Sequence, residues 1–432
     1  MKRSFSIFIC LLAVSLLLCG CAMRTVDELY CLPKRSQSDN DLQSVINHAM
    51  GGLEYCAPQS GDNRLVVQAA DLDGDGVEEY LLFAKDSSEK PLKILIFCQL
   101  ASGYVLMDTI EGYGFGFDFI TYQQLDDKPG MEIVVGRLVS EEVVRSVSVY
   151  RFSSGFSRLM LSAAYSRMSV TDLNGDGVSE LYLLNQNSTE NGRGSLIVYN
   201  YFDEELQRLT ELPVSSMSTG YKQIVASALT DGTKALFVTC EENDELVTDV
   251  FVTESGTYRT VASGLVSGAL AHNLVYPKDM NGDGSLELAK LIPLQTAGEK
   301  PVQYLIQWYQ LQHDGSPMVT MHTYHNFQDN WFVAIEEGLC DNLYVERTKD
   351  QCAFYANGSS EGKSEKLFVI TALKDADREE LSQIPGRIVL YSGDSVIYVA
   401  DIMDDAQDYG ITQAYLLSHF NSIRVDLNTQ ED

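Results

Sequence analysis

Basic side chains are scarce in this sequence. Only 31 lysines and arginines accompany 61 aspartates and glutamates, so the formal net charge is −30 at pH 7. A surface with this excess of carboxylates repels nucleic acid and anionic lipid headgroups, and it attracts cations. Nucleic acid is therefore excluded as a partner, and the composition favours cation binding.

The cysteines include no CxxC pair, and the ligand spacings of structural zinc sites are absent. Three of the nine cysteines lie within the first 21 residues, which leaves six. Outside the cytosol some of these can form disulfides, but spacing alone does not fix the pairing. The pairs nearest in sequence are Cys31 with Cys56 and Cys340 with Cys352, and the other two cysteines are Cys98 and Cys240.

Catalytic signatures are also missing, since the sequence has no GxSxG elbow, no P-loop and no HExxH motif. The histidines include one close pair, His322 and His325. On a strand, their separation of three residues places them on opposite faces. No residue is therefore assigned a catalytic role.

The N-terminus combines basic residues with an apolar run, "FSIFICLLAVSLLL", that is too short for a comfortable membrane span. This pattern predicts an export signal over residues 1–20. The following "LCGC" resembles the lipobox of bacterial lipoproteins, which implies that Cys21 carries the lipid and becomes the mature N-terminus. Residues 21–40 are then a tether, and the protein is lipid-anchored in the cell membrane, facing away from the cytoplasm. The alternative is an ordinary signal peptide in which Cys21 has no role.

Apolar residues with helical spacing follow the tether. Leu42, Val45, Ile46, Ala49 and Met50 fall at i, i+3, i+4, i+7 and i+8. This spacing predicts one amphipathic helix, with a packing role, within a lead-in over residues 41–60.

Beyond this helix the sequence is typical of strands. Runs such as "KILIF", "EIVVGRLV" and "SLIVYNYF" are rich in β-branched and aromatic residues, and Gly, Asp and Ser turns separate them. No helical pattern of useful length interrupts residues 65–270. The chain is therefore predicted to be mainly β.

An acidic motif recurs at regular spacing. The stretches "DLDGDGVEE", "DLNGDGVSE" and "DMNGDGSLE" end at Glu79, Glu180 and Glu287, which are 101 and 107 residues apart. Degenerate copies lie midway, ending at Glu132 and Ala235, so the period is about 52 residues. A repeat of this length with about four short strands suits a β-propeller blade. We predict five or more blades within residues 61–335.

Oxygen-bearing side chains alternate along each intact loop, so they converge as the chain curls. With one backbone carbonyl they supply the oxygen ligands that Ca²⁺ requires, and up to three structural Ca²⁺ ions are expected. The alternative is that the loops are only polar Asp-Gly turns. The predicted ligands, with the carbonyl donor fourth in each set, are Asp71, Asp73, Asp75, Val77 and Glu79; Asp172, Asn174, Asp176, Val178 and Glu180; and Asp279, Asn281, Asp283, Ser285 and Glu287.

The loops differ from EF-hand loops, which carry a bidentate acid at position twelve. That position holds leucine or lysine here, and the acid comes at position nine. In the degenerate second-blade loop, Lys128 stands at position five, where its ammonium could replace the ion. The fourth-blade loop keeps only Asp231 among its turn residues.

These three loops resemble the calcium loops of FG-GAP and VCBS repeat proteins, the family that includes the integrin α-subunit propeller. The resemblance covers roughly residues 65–335. It implies a calcium-binding β-propeller in which the acid at position nine immediately precedes a strand.

The last segment, residues 336–432, mixes strand patterns such as "EKLFVITAL" with helical ones such as "GITQAYLLSHF". It is predicted to form a smaller α+β region. Alternatively, it supplies two irregular blades that close a seven-bladed ring.

Two functions from different classes remain open. The first is a surface-anchored module, without enzymatic activity, that binds an extracellular protein or glycan. The second is a propeller enzyme acting on cell-wall or extracellular polysaccharide. The sequence favours the first, because the conspicuous acids are already assigned to the loops. The two tryptophans, Trp308 and Trp331, are expected in the core rather than against a sugar ring.

Overall fold

The computed structural model describes residues 37–139, 145–185, 193–217, 220–270, 273–294, 302–357 and 364–423. The predicted export signal and Cys21 lie outside these residues. Within them, no helix has both the length and the apolar character that crossing a membrane requires.

The predicted amphipathic helix is present as α1, Gln37–Ala49. Ile46 is buried against the first sheet, where it joins Leu82, Ala84, Leu95 and Phe97 in one apolar cluster. The helical spacing of its apolar residues therefore has the packing role that the sequence indicates.

Five antiparallel sheets follow in chain order within the described residues, and we call them blades 1 to 5. Blade 1 contains β1 Glu54–Tyr55, β2 Val67–Ala70, β3 Glu79–Lys85, β4 Leu92–Leu100 and β5 Gly103–Gly112. Blade 2 contains β6 Gly116–Gln123, β7 Glu132–Leu138, β8 Arg145–Ser153 and β9 Phe156–Tyr165. Blade 3 contains β10 Arg167–Thr171, β11 Glu180–Asn185, β12 Arg193–Phe202 and β13 Glu205–Met217.

Blade 4 contains β14 Tyr221–Ala228, β15 Lys234–Glu242, β16 Glu245–Glu254 and β17 Thr257–Ser267. A short hairpin follows, made of β18 Ala269–Leu270 and β19 Asn273–Leu274. In blade 5 the first strand is reduced to a bridge between Lys278 and Glu287. Its other strands are β20 Leu288–Pro293, β21 Tyr304–Leu311, β22 Pro317–Asn326 and β23 Trp331–Ile335.

The C-terminal segment forms a five-stranded antiparallel sheet in the order β24-β25-β26-β28-β27, which we call the sixth sheet because it follows the five blades. Its strands are β24 Leu343–Arg347, β25 Gln351–Asn357, β26 Ser364–Leu373, β27 Ile388–Ser392 and β28 Ile397–Ile402. The helices of this segment are α2 Glu337–Cys340, α3 Arg378–Ser382, a 3₁₀ helix Asp404–Tyr409 and α4 Gln413–His419. The segment is thus a mixture of strands and short helices.

The last strand, β29 Phe420–Ser422, returns to blade 5 and pairs with β23. Phe420 and Trp331 share one core with Phe354 and Phe368 of the sixth sheet. Blade 5 and the C-terminal sheet are therefore joined both by strand pairing and by a common core.

Successive blades pack face to face. The side chains of each second strand point alternately to the two neighbouring blades, which explains why these strands are continuous apolar runs in the sequence. In β11, Leu181 and Leu183 belong to the cluster shared with blade 2, whereas Tyr182 and Leu184 belong to the cluster shared with blade 4. Neighbouring residues of a strand point to opposite faces, so a strand between two sheets needs apolar residues at every position. The chain is mainly β, and its sheets stack in chain order as blades of a β-propeller.

The first blade has a different neighbour on its outer face. Leu81 and Phe83 of β3 pack towards blade 2, while Leu82 and Ala84 pack beneath α1. The helix therefore covers the face of blade 1 that does not contact blade 2, as a capping element does at the end of a repeat array.

Candidate metal centres

The three acidic loops occupy equivalent places in three blades. Each connects the first strand of its blade to the second: residues 71–78 join β2 to β3, residues 172–179 join β10 to β11, and residues 279–286 lead from the Lys278 bridge to β20. The position-nine glutamate therefore lies at the point where the second strand begins. These loops share one position in the blades, as the 52-residue period requires.

The first-position aspartate organises each turn. Asp71 accepts the backbone N–H of Gly74 on Oδ1 at 2.8 Å and that of Gly76 on Oδ2 at 3.1 Å. Asp172 accepts the N–H groups of Gly175 and Gly177 at 2.5 and 3.1 Å. Asp279 accepts those of Gly282 and Gly284 at 2.7 and 2.9 Å. Gly74 and Gly76 have φ of 78° and 86°, which residues with a Cβ seldom adopt, so glycine is required at both positions.

The third and fifth positions each use one side-chain oxygen to order the backbone. Asp73 Oδ1 accepts the N–H of Asp75 at 3.1 Å, and Asp75 Oδ1 accepts the N–H of Val77 at 2.8 Å. In the second loop, Asn174 accepts the N–H of Asp176, and Asp176 accepts that of Val178. In the third loop, Asn281 accepts the N–H of Asp283, and Asp283 accepts that of Ser285. All three loops therefore share one hydrogen-bond scheme.

The position-nine glutamate closes the loop from inside the blade. Its Oε2 accepts the N–H of the second loop residue, at 2.9 Å from Leu72 to Glu79, 3.1 Å from Leu173 to Glu180 and 2.8 Å from Met280 to Glu287. All three glutamates are buried. A buried carboxylate is costly unless a cation or a proton compensates it.

The pKa values of the position-nine glutamates reflect this cost. Burial raises the pKa of Glu79 to about 7, and repulsion from Asp73, Asp75 and Asp71 contributes to the rise. Burial also raises the pKa of Glu180 and of Glu287. In all three loops burial therefore disfavours the charged form of the position-nine glutamate, and a nearby cation would favour it.

The first loop brings its acids closest together. Among the described residues, Asp71, Asp73 and Glu79 place carboxylate oxygens within 4.8 Å of one another. The donor set is entirely carboxylate, which suits a hard cation such as Ca²⁺. Cys98, on β4, lies beside this loop, and burial together with the charges of Glu79, Asp73 and Asp75 raises the pKa of its thiol to about 12.

The second and third loops contain additional donors. In the second, Asn174 Nδ2 donates to Glu180 Oε1 at 2.6 Å, and Lys234 Nζ lies 3.5 Å from Asp172 Oδ2. In the third, Gln310 Nε2 of β21 donates to Asp283 Oδ2 at 2.7 Å and to Glu287 Oε1 at 2.9 Å. Both loops thus carry fewer carboxylates and more compensating groups than the first.

The second-blade loop corrects one expectation. Lys128 does not replace the ion, because its Nζ points instead to Glu204 Oε1 of blade 3 at 2.9 Å. Arg151 of β8 enters this loop: its Nη1 donates to Asp126 Oδ2 at 2.5 Å and to Glu132 Oε1 at 2.9 Å. A long side chain from the third strand reaches the buried acids, whereas a position-five side chain lies on the exposed side of the turn.

The fourth-blade loop is a short turn. Gly232 N donates to the Leu229 carbonyl at 2.9 Å, and Asp231 Oδ1 accepts the N–H of Thr233 at 2.9 Å. This loop keeps a single aspartate, as its sequence indicates, and offers no comparable set of acids.

Each loop also contacts the loop or strand of a neighbouring blade. Ser179 N donates to the Gln124 carbonyl at 2.7 Å, which joins blades 3 and 2. Lys234 Nζ donates to the Asp172 carbonyl at 2.6 Å, and Leu286 N donates to Ser227 Oγ at 2.9 Å. The loops therefore lie at the junctions between blades, where ordering one loop also fixes its neighbour.

Residues outside the loops have structural roles. Trp308 and Trp331 are buried, and Trp308 Nε1 donates to Thr323 Oγ1 at 2.7 Å, which confirms their expected place in the core. His322 lies beside Gln307, whereas His325 stacks on Phe332 with ring centroids 4.9 Å apart. The described part of the chain contains no disulfide among its cysteines, which are Cys56, Cys98, Cys240, Cys340 and Cys352.

Comparisons with known proteins assign no family. No family model and no curated protein matches the chain. Similar solved structures include a Lactobacillus plantarum protein (12% identity, TM-score 0.30, 72% of this chain and 85% of that one). A second is the β-propeller domain of the Trilobed protease from Pyrococcus furiosus (11% identity, TM-score 0.27, 71% of this chain and 89% of that one). A third is the exotype rhamnogalacturonan lyase YesX (11% identity, TM-score 0.32, 81% of this chain and 72% of that one). Likeness at this level carries no conclusion about function.

Proposed function

We propose that this protein is a calcium-stabilised β-propeller of the FG-GAP/VCBS type, with structural Ca²⁺ in the loops of blades 1, 3 and 5. One observation carries the proposal: the same hydrogen-bond scheme surrounds a buried position-nine glutamate in each loop. Regular hydrogen bonds order each loop, and burial makes the charge of its position-nine glutamate costly. A hard cation satisfies both conditions.

The role of the ion is structural in this proposal. The loops lie at blade junctions, so binding in one loop resists separation of two sheets. An ion at about 100 times its dissociation constant stabilises the folded chain by about 2.7 kcal/mol per independent site, provided that the unfolded chain does not bind it. Three such sites would contribute a large share of a typical free energy of unfolding.

Thermal unfolding tests this role. The chain from residue 22 onward, which lacks the export signal and Cys21, is melted in excess Ca²⁺ and in EGTA. The expected result is a clear fall in Tm with EGTA that added Ca²⁺ reverses. Asp231→Ala, in the fourth-blade loop, serves as the control and should keep the full response. An unchanged Tm after verified metal removal would contradict the proposal.

We further propose that the propeller is a binding module for a protein or glycan, held at the cell exterior through lipid on Cys21. Exposed aromatic side chains support a binding surface at the end of the sheets that carries the loops. Phe156 and Phe202, 71% and 70% exposed, lie at the turns between the third and fourth strands of blades 2 and 3. Phe156→Ser and Phe202→Ser should weaken ligand binding and leave Tm unchanged.

A second candidate is an enzyme that acts on polysaccharide, and the acids to test for that role line one pocket. A cavity of about 290 Å³ at the sixth sheet is lined by Lys349 and Lys374 together with Asp350, Asp375 and Asp377. A glycan array combined with a polysaccharide hydrolysis screen separates the two candidates. Binding without turnover supports the module, whereas turnover that Asp350→Asn, Asp375→Asn or Asp377→Asn abolishes supports the enzyme.

A further inference from the structure

The strand register places one residue of each third strand beside the position-nine glutamate. In blade 2, Ile133 pairs with Tyr150, so one step further Arg151 lies opposite Glu132. In blade 5, Leu288 pairs with Tyr309, so Gln310 lies opposite Glu287. We call this place the facing position.

The same register identifies the facing position in the other two glutamate-containing blades. Tyr80 pairs with Phe97 in blade 1, which puts Cys98 opposite Glu79. Leu181 pairs with Tyr199 in blade 3, which puts Asn200 opposite Glu180. The three blades with intact loops therefore have a neutral residue at this position, and the blade with the degenerate loop has an arginine.

Arg151 makes the contacts that a bound cation would make. Its guanidinium donates to two carboxylates, Asp126 and Glu132, and its Nη2 donates to the Pro129 carbonyl at 3.2 Å. Two carboxylates and one backbone carbonyl are also the kind of oxygen set predicted for Ca²⁺ in the intact loops. Arg151 is buried, and the Glu132 beside it is fully buried. The second blade therefore contains a permanent cation within its loop.

Gln310 reaches the equivalent place in blade 5 without bringing a charge. Its amide donates to Asp283 and Glu287, but it supplies no positive charge to either carboxylate. The two blades thus share a geometry in which the facing side chain touches the position-nine glutamate and one other loop acid. They differ in the charge that this side chain carries.

We propose that the facing position determines which cation each loop holds: Arg151 supplies a built-in cation to blade 2, and the neutral residues of blades 1, 3 and 5 leave their loops for Ca²⁺. This inference rests on the proposed calcium function of the intact loops. A guanidinium and a divalent ion repel each other within one small site, so a loop holds one or the other. Blade 2 is then ordered at any calcium concentration.

Gln310→Arg in the protein tests this inference, with Gln310→Met as the matched neutral control. Calcium bound at saturation is measured by calorimetry and by equilibrium dialysis, and far-UV circular dichroism verifies the fold. Wild type and Gln310→Met are expected to bind three equivalents, and Gln310→Arg is expected to bind two. Because the guanidinium compensates the blade 5 acids, the Tm of Gln310→Arg in EGTA should equal or exceed that of wild type in EGTA.

Arg151→Gln provides an independent test that does not require a new buried charge. It should lower Tm to a similar extent in Ca²⁺ and in EGTA, because the degenerate loop has Gln124 and Lys128 where the intact loops have aspartates, so Ca²⁺ cannot take the place of the lost guanidinium. Three equivalents bound by a folded Gln310→Arg, or an Arg151→Gln variant as stable as wild type, would overturn the inference and leave the proposed function standing. A wild-type chain that binds no calcium would instead overturn the proposed function.

Discussion

Gly74 of the first loop lies directly against Gly130 of the second-blade loop. A Cβ added at Gly74 would stand 2.6 Å from the Gly130 nitrogen and 2.5 Å from the Pro129 Cβ. A Cβ added at Gly76, by contrast, would meet no atom within 4 Å, although the φ of Gly76 is also positive. A side chain at Gly76 therefore adds only backbone strain, whereas a side chain at Gly74 adds backbone strain and a steric clash with blade 2.

Gly74→Ala should accordingly destabilise the protein more than Gly76→Ala. Both variants bear the cost of a left-handed conformation, about 1–2 kcal/mol. Gly74→Ala adds overpacking against blade 2, about 1–3 kcal/mol more. Urea unfolding of both variants in Ca²⁺ measures the difference in the free energy of unfolding. Equal losses would mean that the two loops do not contact each other in solution.

The first loop should bind calcium most tightly. It presents four carboxylates where the second and third loops present three, and ligand charge contributes to calcium affinity. Calorimetric titration should show a tightest class of one site that disappears in Asp75→Ala and persists in Asp176→Ala and Asp283→Ala. Loss of that class from Asp176→Ala would show that loop rigidity outweighs charge.

The stability of blade 5 should depend on the neutral form of His325. Burial lowers the pKa of this imidazole from 6.5 to about 3, and the charge of Lys278 acts in the same direction. The stabilisation is complete above the unfolded pKa and is lost as pH falls through the window from 6.5 towards about 3.

His325→Phe isolates this contribution because it keeps an aromatic ring over Phe332. Between about pH 7.5 and about pH 5, wild type should lose about 2 kcal/mol more free energy of unfolding than the variant does. Parallel urea titrations at the two pH values measure the difference. Identical pH dependence in the two proteins would mean that the imidazole has the same pKa in the folded and the unfolded chain, which contradicts the prediction.

Lipid attachment should depend on Cys21. Cells that produce the full-length protein are grown with labelled palmitate, and the protein is recovered from the membrane fraction. Wild type should carry label and Cys21→Ser should not, whereas Cys98→Ser should be labelled as wild type is. Equal labelling of wild type and Cys21→Ser would contradict the lipobox interpretation.

The sequence predicted the repeated part of the fold well, because each blade repeats one local pattern. Spacing of the acidic motifs located the second strand of blades 1, 2, 3 and 5, and Ala235 lies one residue after the start of β15. Helical periodicity located α1. Both patterns involve residues that are close in sequence, so they can be recognised without knowledge of tertiary contacts.

The residues that distinguish the loops from one another could not be predicted in the same way. Arg151 lies 19 residues after Glu132, on another strand, and only the β7–β8 register brings the two together. The loop position of Lys128 predicts that its ammonium replaces the ion, but the ammonium contacts Glu204 of the next blade instead. A search for basic residues at the end of the third strand, opposite each position-nine acid, would have found Arg151.

The number of Ca²⁺ ions bound at saturation decides whether the three acidic loops are calcium sites. Equilibrium dialysis of the chain from residue 22 onward is compared with a triple variant, Glu79→Gln with Glu180→Gln and Glu287→Gln, whose fold is verified by circular dichroism. Three equivalents of tightly bound Ca²⁺ are expected in the first protein and none in the second. A chain that binds no calcium, or a triple variant that retains all three equivalents, would contradict it.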